Sequence, residues 1–150
     1  MVWEGISLGC HSDLHVFHGG TLTGVTYWDE ILDLYVSPYA GAIGNDFILM
    51  DDNARPHRAV VVENYLEDHG LERMEWPTQS PDLNPIEHLW DYLGRQVAAL
   101  SPPPRSLDEV EQSLLRVWSS LPISVSYNLI DSTKIRCLQC IQVRGGHIPY

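Results

Sequence analysis

Phe47-Ile48-Leu49-Met50-Asp51-Asp52-Asn53 is the stretch on which the fold turns: four apolar residues in a row, closed by two acids and an amide. A short apolar run bounded by polar residues reads as a strand buried on both faces, the kind found inside open α/β sheets. Such sheets present ligands at the carboxyl ends of their strands. Asp51 and Asp52 therefore stand where a functional edge is expected.

Downstream, Arg58 to His69 reads as an amphipathic helix with Val61, Val62, Tyr65 and Leu66 inward and Gly70 as its stop. Leu71 to Trp76 is the next predicted strand, closed by Pro77. Asn84 is a good helix N-cap and Pro85 suits the first helical position. Ile86, Leu89, Trp90, Leu93 and Val97 then form one apolar stripe. After the stiff connector Ser101-Pro102-Pro103-Pro104, the residues Ser106-Leu107-Asp108-Glu109 form a capping box. The helix they open is predicted to turn Leu107, Val110, Leu114, Val117 and Trp118 inward, and Ser132 to Val143 is predicted to be helical as well.

Upstream, Val2, Glu4, Ile6 and Leu8 alternate with other residues as a strand would. Leu14 to Phe17 is a second β-like run, and the turn Gly9 to Asp13 makes the two a hairpin. Thr23 offers an N-cap to a helix with Tyr27, Ile31, Leu34 and Tyr35 at helical spacing, ended by Pro38 and the Gly41 to Gly44 region. The predicted order is strand, strand, helix, strand, helix, strand, helices, an α/β class without internal repeats.

At 150 residues the chain suits one domain, and 44% hydrophobic with 19% charged residues is a globular balance. No run approaches the roughly 18 apolar residues that span a bilayer, so no membrane partner is expected. The start, Met1 to Gly5, has neither the basic region nor the apolar core of a secretory signal, and the default expectation is a soluble intracellular protein. Cys137 and Cys140 have the spacing of half a zinc site, but the three cysteines offer no second pair, and packing as small hydrophobes is the simpler reading. Twenty acids face nine bases, a net charge of −11. Proteins that grip DNA unaided carry a basic face for the phosphates, so weak intrinsic DNA affinity is expected.

Two carboxylates stand out by position: Asp52 past the apolar strand, and Glu87 in the first turn of a helix, with 34 residues between them. Mg²⁺ prefers oxygen ligands and keeps several waters, so a few carboxylates from separate elements can hold it. Two such ions can serve an in-line phosphoryl displacement. Each residue also has an ordinary structural reading. Glu87 is the third helical residue after an Asn cap and can bond back to it. Asp52-Asn53 is a common turn opening. Asp51 is a rival to Asp52, since neighbours on a strand point to opposite faces. His57 can position substrate or metal, or simply pack.

Asp52-Asn53-Ala54-Arg55-Pro56-His57 resembles the D-N-x-x-x-H motif around the second catalytic aspartate of Tc/mariner-type DDE transposases. Trp76-Pro77-Thr78-Gln79-Ser80-Pro81-Asp82-Leu83-Asn84-Pro85-Ile86-Glu87-His88-Leu89-Trp90 resembles the family's W-P-x-x-S-P-D-L-N-P-I-E-x-x-W signature around the third carboxylate. The interval between the two acids fits as well. Val2 to Ser7 is similar to the family's V-W-G-G-I-S strand, with Glu4 replacing a usual glycine, and Arg144-Gly145-Gly146-His147 is similar to its ending. The resemblance implies a ribonuclease-H-like fold in which Asp52 and Glu87 are catalytic ligands of Mg²⁺ or Mn²⁺. It demotes Asp51 and makes Asn53, His57, Asn84 and Pro85 site-shaping. It implies DNA, as transposon ends and target, as partner, and a nuclear location.

The family's first aspartate lies on a central strand upstream of V-W-G-G-I-S, and its helix-turn-helix modules lie further upstream. Here the V-W-x-G-I-S strand begins with Val2. The expectation is a partial catalytic domain over residues 1–150, lacking its first central strand and the first aspartate, with weak metal binding and no activity alone. Unpaired strand edges would then favour self-association or pairing with full-length transposase. The alternatives are an active enzyme of which this sequence is an incomplete reading, and a non-enzymatic interaction module.

Overall fold

The computed structural model describes residues 1–77 and 80–144; Thr78, Gln79 and the Gly145-Gly146-His147 ending, on which part of the resemblance rests, lie outside them. In chain order the strands and α-helices are β1 (Val2–Trp3), β2 (Ile6–Ser7), β3 (Cys10–His11), β4 (His15–Val16), α1 (Gly24–Tyr27), α2 (Ser37–Ile43), β5 (Ile48–Leu49), α3 (Val60–Asp68), β6 (Glu72–Arg73), α4 (Pro85–Ala98), α5 (Leu107–Ser119), α6 (Ile123–Asp131) and α7 (Thr133–Gln142). They form two compact units, one of Met1 with Phe17–Ser80 and the other of Val2–Val16 with Pro81–Tyr150.

In the first unit, the Thr23 hydroxyl accepts the Thr26 amide at 3.1 Å and starts the helix as expected. Between α1 and α2 the chain is wound more widely, as a π-helix over Trp28–Val36, and the Ser37 amide donates to the Leu32 carbonyl five residues back. The wider turn moves the buried face to Tyr27, Ile31, Leu32, Val36 and Ala40. Leu34, predicted inward from a 3.6-residue period, is 58% exposed for that reason. Pro38 does not end the helix. A proline breaks α geometry by lacking a donor and clashing with the carbonyl four residues back, and here it follows bonds that reach five back. The helix stops at Gly44, whose φ of +81° suits glycine.

Strands β5 and β6 pair in parallel, Ile48 beside Glu72 and Leu49 beside Arg73. The expected burial on both faces is not found: Leu49 is buried and Ile48 is 46% exposed, as befits a sheet of two strands. Helix α3 buries Val62, Tyr65 and Leu66, and the chain reverses at Gly70 with φ +62°.

The second unit opens with the expected hairpin, folded more tightly. Val2 pairs with Val16 and Trp3 with His15, while Ile6 pairs with His11 and Ser7 with Cys10. The register slips by one residue between the two pairs. Gly5 takes up the slip by donating its amide to the Ser12 hydroxyl at 2.9 Å and accepting the Ser12 amide at 2.8 Å. Leu14, Leu89, Leu93, Trp118 and Leu121 form the buried core, with Val2, Ile6, Leu114 and Val117 packed against it. Leu107 and Val110, predicted inward, are 87% and 40% exposed, so only the later turns of α5 reach the core. The capping box is present at Ser106, whose hydroxyl accepts the Glu109 amide at 3.2 Å. Its return bond goes one residue earlier, from the Arg105 amide to Glu109 at 2.6 Å.

Candidate active site

Asp52 lies just past β5, and its carboxylate is held on one side. Oδ1 accepts the Ala54 amide at 2.9 Å and sits 2.7 Å from His57 Nδ1. A carboxylate only accepts, so the imidazole proton on that nitrogen points at Asp52. The Asp52 side chain remains 48% exposed, whereas that of His57 is 13% exposed. The Tyr27 ring covers the His57 ring, with centroids 4.1 Å apart. Asn53 reaches both ways: its amide nitrogen donates to the Trp76 carbonyl at 3.1 Å, and its oxygen accepts Arg58 at 2.7 and 3.0 Å. The two motif segments are thereby tied together at Trp76.

Asp51 does different work. It is buried at 8% exposure, and its Oδ2 lies 3.2 Å from Arg73 Nη2 and 3.5 Å from the Tyr27 hydroxyl. Burial holds its pKa above the usual carboxylate range, with the Arg73 charge opposing. Burial, and after it the Asp51 charge, pushes the Tyr27 phenol far above its ordinary value. Arg73 is equally buried and also donates to the His57 carbonyl at 2.8 Å and to Glu63 at 2.6 Å. Arg73 and Glu63 are functional neighbours that no local pattern in the sequence marks. Space is tight where the start of α1 meets the chain just past His57. A Cβ built on Gly24 would lie 2.4 Å from Ala59 Cβ and 3.4 Å from the Pro56 carbonyl oxygen.

In the second unit, buried Asn84 caps α4 by accepting the Ile86 amide at 3.3 Å, and Pro85 follows, also buried. Glu87 is exposed on the first turn. The bond back to the cap, allowed by its position, is not made: among the described residues no group hydrogen-bonds its carboxylate. Leu89 and Leu93, fully buried on the opposite side of the helix, hold that turn in place. Glu4, between β1 and β2, is the unusual acid of this unit. It is 6% exposed, neither carboxylate oxygen has a hydrogen-bond partner among the described residues, and burial raises its pKa to about 8.

Among the described residues no three His, Cys, Asp or Glu side chains gather as a metal cluster. Residues 19–111 match the family model described as DDE superfamily endonuclease. The chain belongs to the DDE endonuclease superfamily. Its similarity to Tc/mariner members is direct: 33% identity over 124 residues with the Tc1 transposase of Caenorhabditis elegans, covering 82% of this chain and 45% of that one. With the Tcb1 transposase of Caenorhabditis briggsae it shares 31% over 154 residues, 100% of this chain and 54% of the relative. The chain thus spans about half the length of these DDE relatives. Its backbone matches the crystal structure of the catalytic domain of Mos1 mariner transposase with a TM-score of 0.82, over 99% of this chain and 74% of that chain, at 21% identity. The fold is the ribonuclease-H-like fold of DDE enzymes, as the motifs led one to expect.

Proposed function

We propose that this chain forms part of a Tc/mariner-like transposase catalytic domain in which Asp52 and Glu87 are ligands of a divalent ion, Mg²⁺ or Mn²⁺. The reaction is cleavage of DNA at transposon ends and joining of the freed 3′ hydroxyl to target DNA. The observation that supports the reading best is the state of Asp52: a half-exposed carboxylate with one oxygen fixed by an amide and an imidazole. Among the described residues both bonds fall on Oδ1, which leaves the second oxygen as a donor for a metal. Exposed Glu87 on a capped helix adds a second hard oxygen ligand, and the donor chemistry suits these ions. Mos1 catalytic domain has been solved with raltegravir and Mn or Mg, and Mos1 transposase as a paired-end complex with the left transposon end.

The bound ion supplies Lewis acidity toward phosphoryl oxygens. The protein groups supply placement. Ala54 and His57 orient Asp52, Asn53 holds the loop against Trp76, and Asn84 with Pro85 sets the turn that carries Glu87. A net charge of −11 supports weak intrinsic DNA affinity for this chain. In a transposase chain that also carries the family's first aspartate, Asp52→Ala or Glu87→Ala is expected to cut metal-dependent nicking of a transposon-end substrate by orders of magnitude. The 150-residue chain alone, with two of the three family carboxylates, is expected to nick nothing. Metal-dependent nicking by it that persists in Asp52→Ala would overturn the reading.

A further inference from the structure

We propose that Arg73 is a positioning residue for Asp52, acting on it through the backbone and ring of His57; this rests on the reading of Asp52 as a metal ligand. Arg73 sits on β6 beside Leu49, two residues before Asp51. From there one guanidinium grips both ends of the Asp51–His57 segment. Nη2 lies 3.2 Å from Asp51 Oδ2 and donates to the His57 carbonyl at 2.8 Å. Nη1 is anchored by Glu63 of α3 at 2.6 Å. The Arg73 and Asp51 side chains are 7% and 6% exposed, so solvent does not loosen the grip.

With its two ends fixed, the segment has little freedom in between, and the His57 ring inherits the restraint. That ring, covered by Tyr27, directs its proton at Asp52 Oδ1. The path runs guanidinium, His57 carbonyl, imidazole, carboxylate, and each link is a bond of ordinary length. Lysine cannot replace this fork: an ammonium is a single point with no planar pair of donors. Groups that orient a metal ligand commonly change metal affinity by about 10–100-fold when altered.

The test titrates Mn²⁺ into the 150-residue chain, following paramagnetic broadening of the His57 ring signals, with ring-nitrogen shifts and thermal melts recorded in parallel. Asp52→Ala should abolish saturable broadening; if it broadens like the wild type, the metal-site reading itself fails. Arg73→Lys keeps the buried charge and should raise the Mn²⁺ concentration for half-broadening about 10–100-fold, with loss of the hydrogen-bonded Nδ1 signal. Glu63→Gln removes the anchor's charge but leaves both Nη2 contacts, and should lower the melting temperature while keeping the wild-type Mn²⁺ response. Should Arg73→Lys fail to fold, Asp51→Asn decides, with severalfold weaker Mn²⁺ response expected. A wild-type response in Arg73→Lys, or in Asp51→Asn where that variant decides, overturns the proposal, as does a Glu63→Gln that weakens Mn²⁺ as much as Arg73→Lys.

Discussion

Asp52 and Glu87, the two acids of the transposase motifs, are held in opposite ways. Asp52 sits in a loop whose shape depends on side chains: His57 on its oxygen, Tyr27 over the ring, Arg73 at both ends of the segment. Glu87 depends on backbone. A capped helix, packed on Leu89 and Leu93, carries it, and among the described residues nothing hydrogen-bonds its carboxylate. The difference teaches where the placement of each acid is vulnerable. The Asp52 side should fail when distant charges change, and the Glu87 side only when the helix start changes.

The strongest test of this contrast is Arg73→Met, which leaves Asp51 buried without its cation. Removing one partner of a buried pair costs about 3–5 kcal/mol, and urea denaturation should show a loss of that size. A loss below 1 kcal/mol would mean that the loop does not depend on the cluster.

Glu4 sharpens the comparison, because it is a buried acid that lacks the cation Asp51 has. Its folded pKa of about 8 lies above the ordinary 4.5. The folded state therefore keeps a proton that the unfolded chain releases between those values, and stability falls as pH rises from about 4.5 to about 8. Glu4→Gln should remove that slope. It should match the wild type near pH 4 and exceed it by a margin that grows up to about pH 8, as read from melts across that range. Parallel pH profiles would show that Glu4 is not the group being titrated.

On the Glu87 side, Asn84→Ala removes the cap and should cost about 1 kcal/mol in a thermal melt. Smallest of all, Glu87→Gln should change stability by no more than about 0.5 kcal/mol while removing the carboxylate proposed as a metal ligand. A larger loss in denaturation would show that Glu87 has a structural partner after all.

The parts of this arrangement that repeat along the chain were legible in it. Asn84 before Pro85, Gly70 after α3, and the apolar stripe through Leu89 and Leu93 each follow from local rules, and each is found. Asp52 with His57 was legible as a motif, and their 2.7 Å contact gives the motif a physical content. Arg73 was not, because its partners are 22, 16 and 10 residues away in sequence and no local pattern joins them. Nor was the shift in the first helix. Winding with bonds five residues back leaves no compositional mark, so Leu34 looked inward and Leu32 did not. Leu107 and Val110 show the reverse error: apolar residues at helical spacing face solvent when the helix reaches its core only near Trp118.

Gly24 adds a different kind of control. With only hydrogen fitting between it and Ala59, the helix start acts as a hard stop against the chain that carries His57. Repulsion at van der Waals range does not weaken with ionic strength, and the buried Arg73–Asp51 pair is screened far less than an exposed one. The position of the loop should therefore be nearly independent of salt.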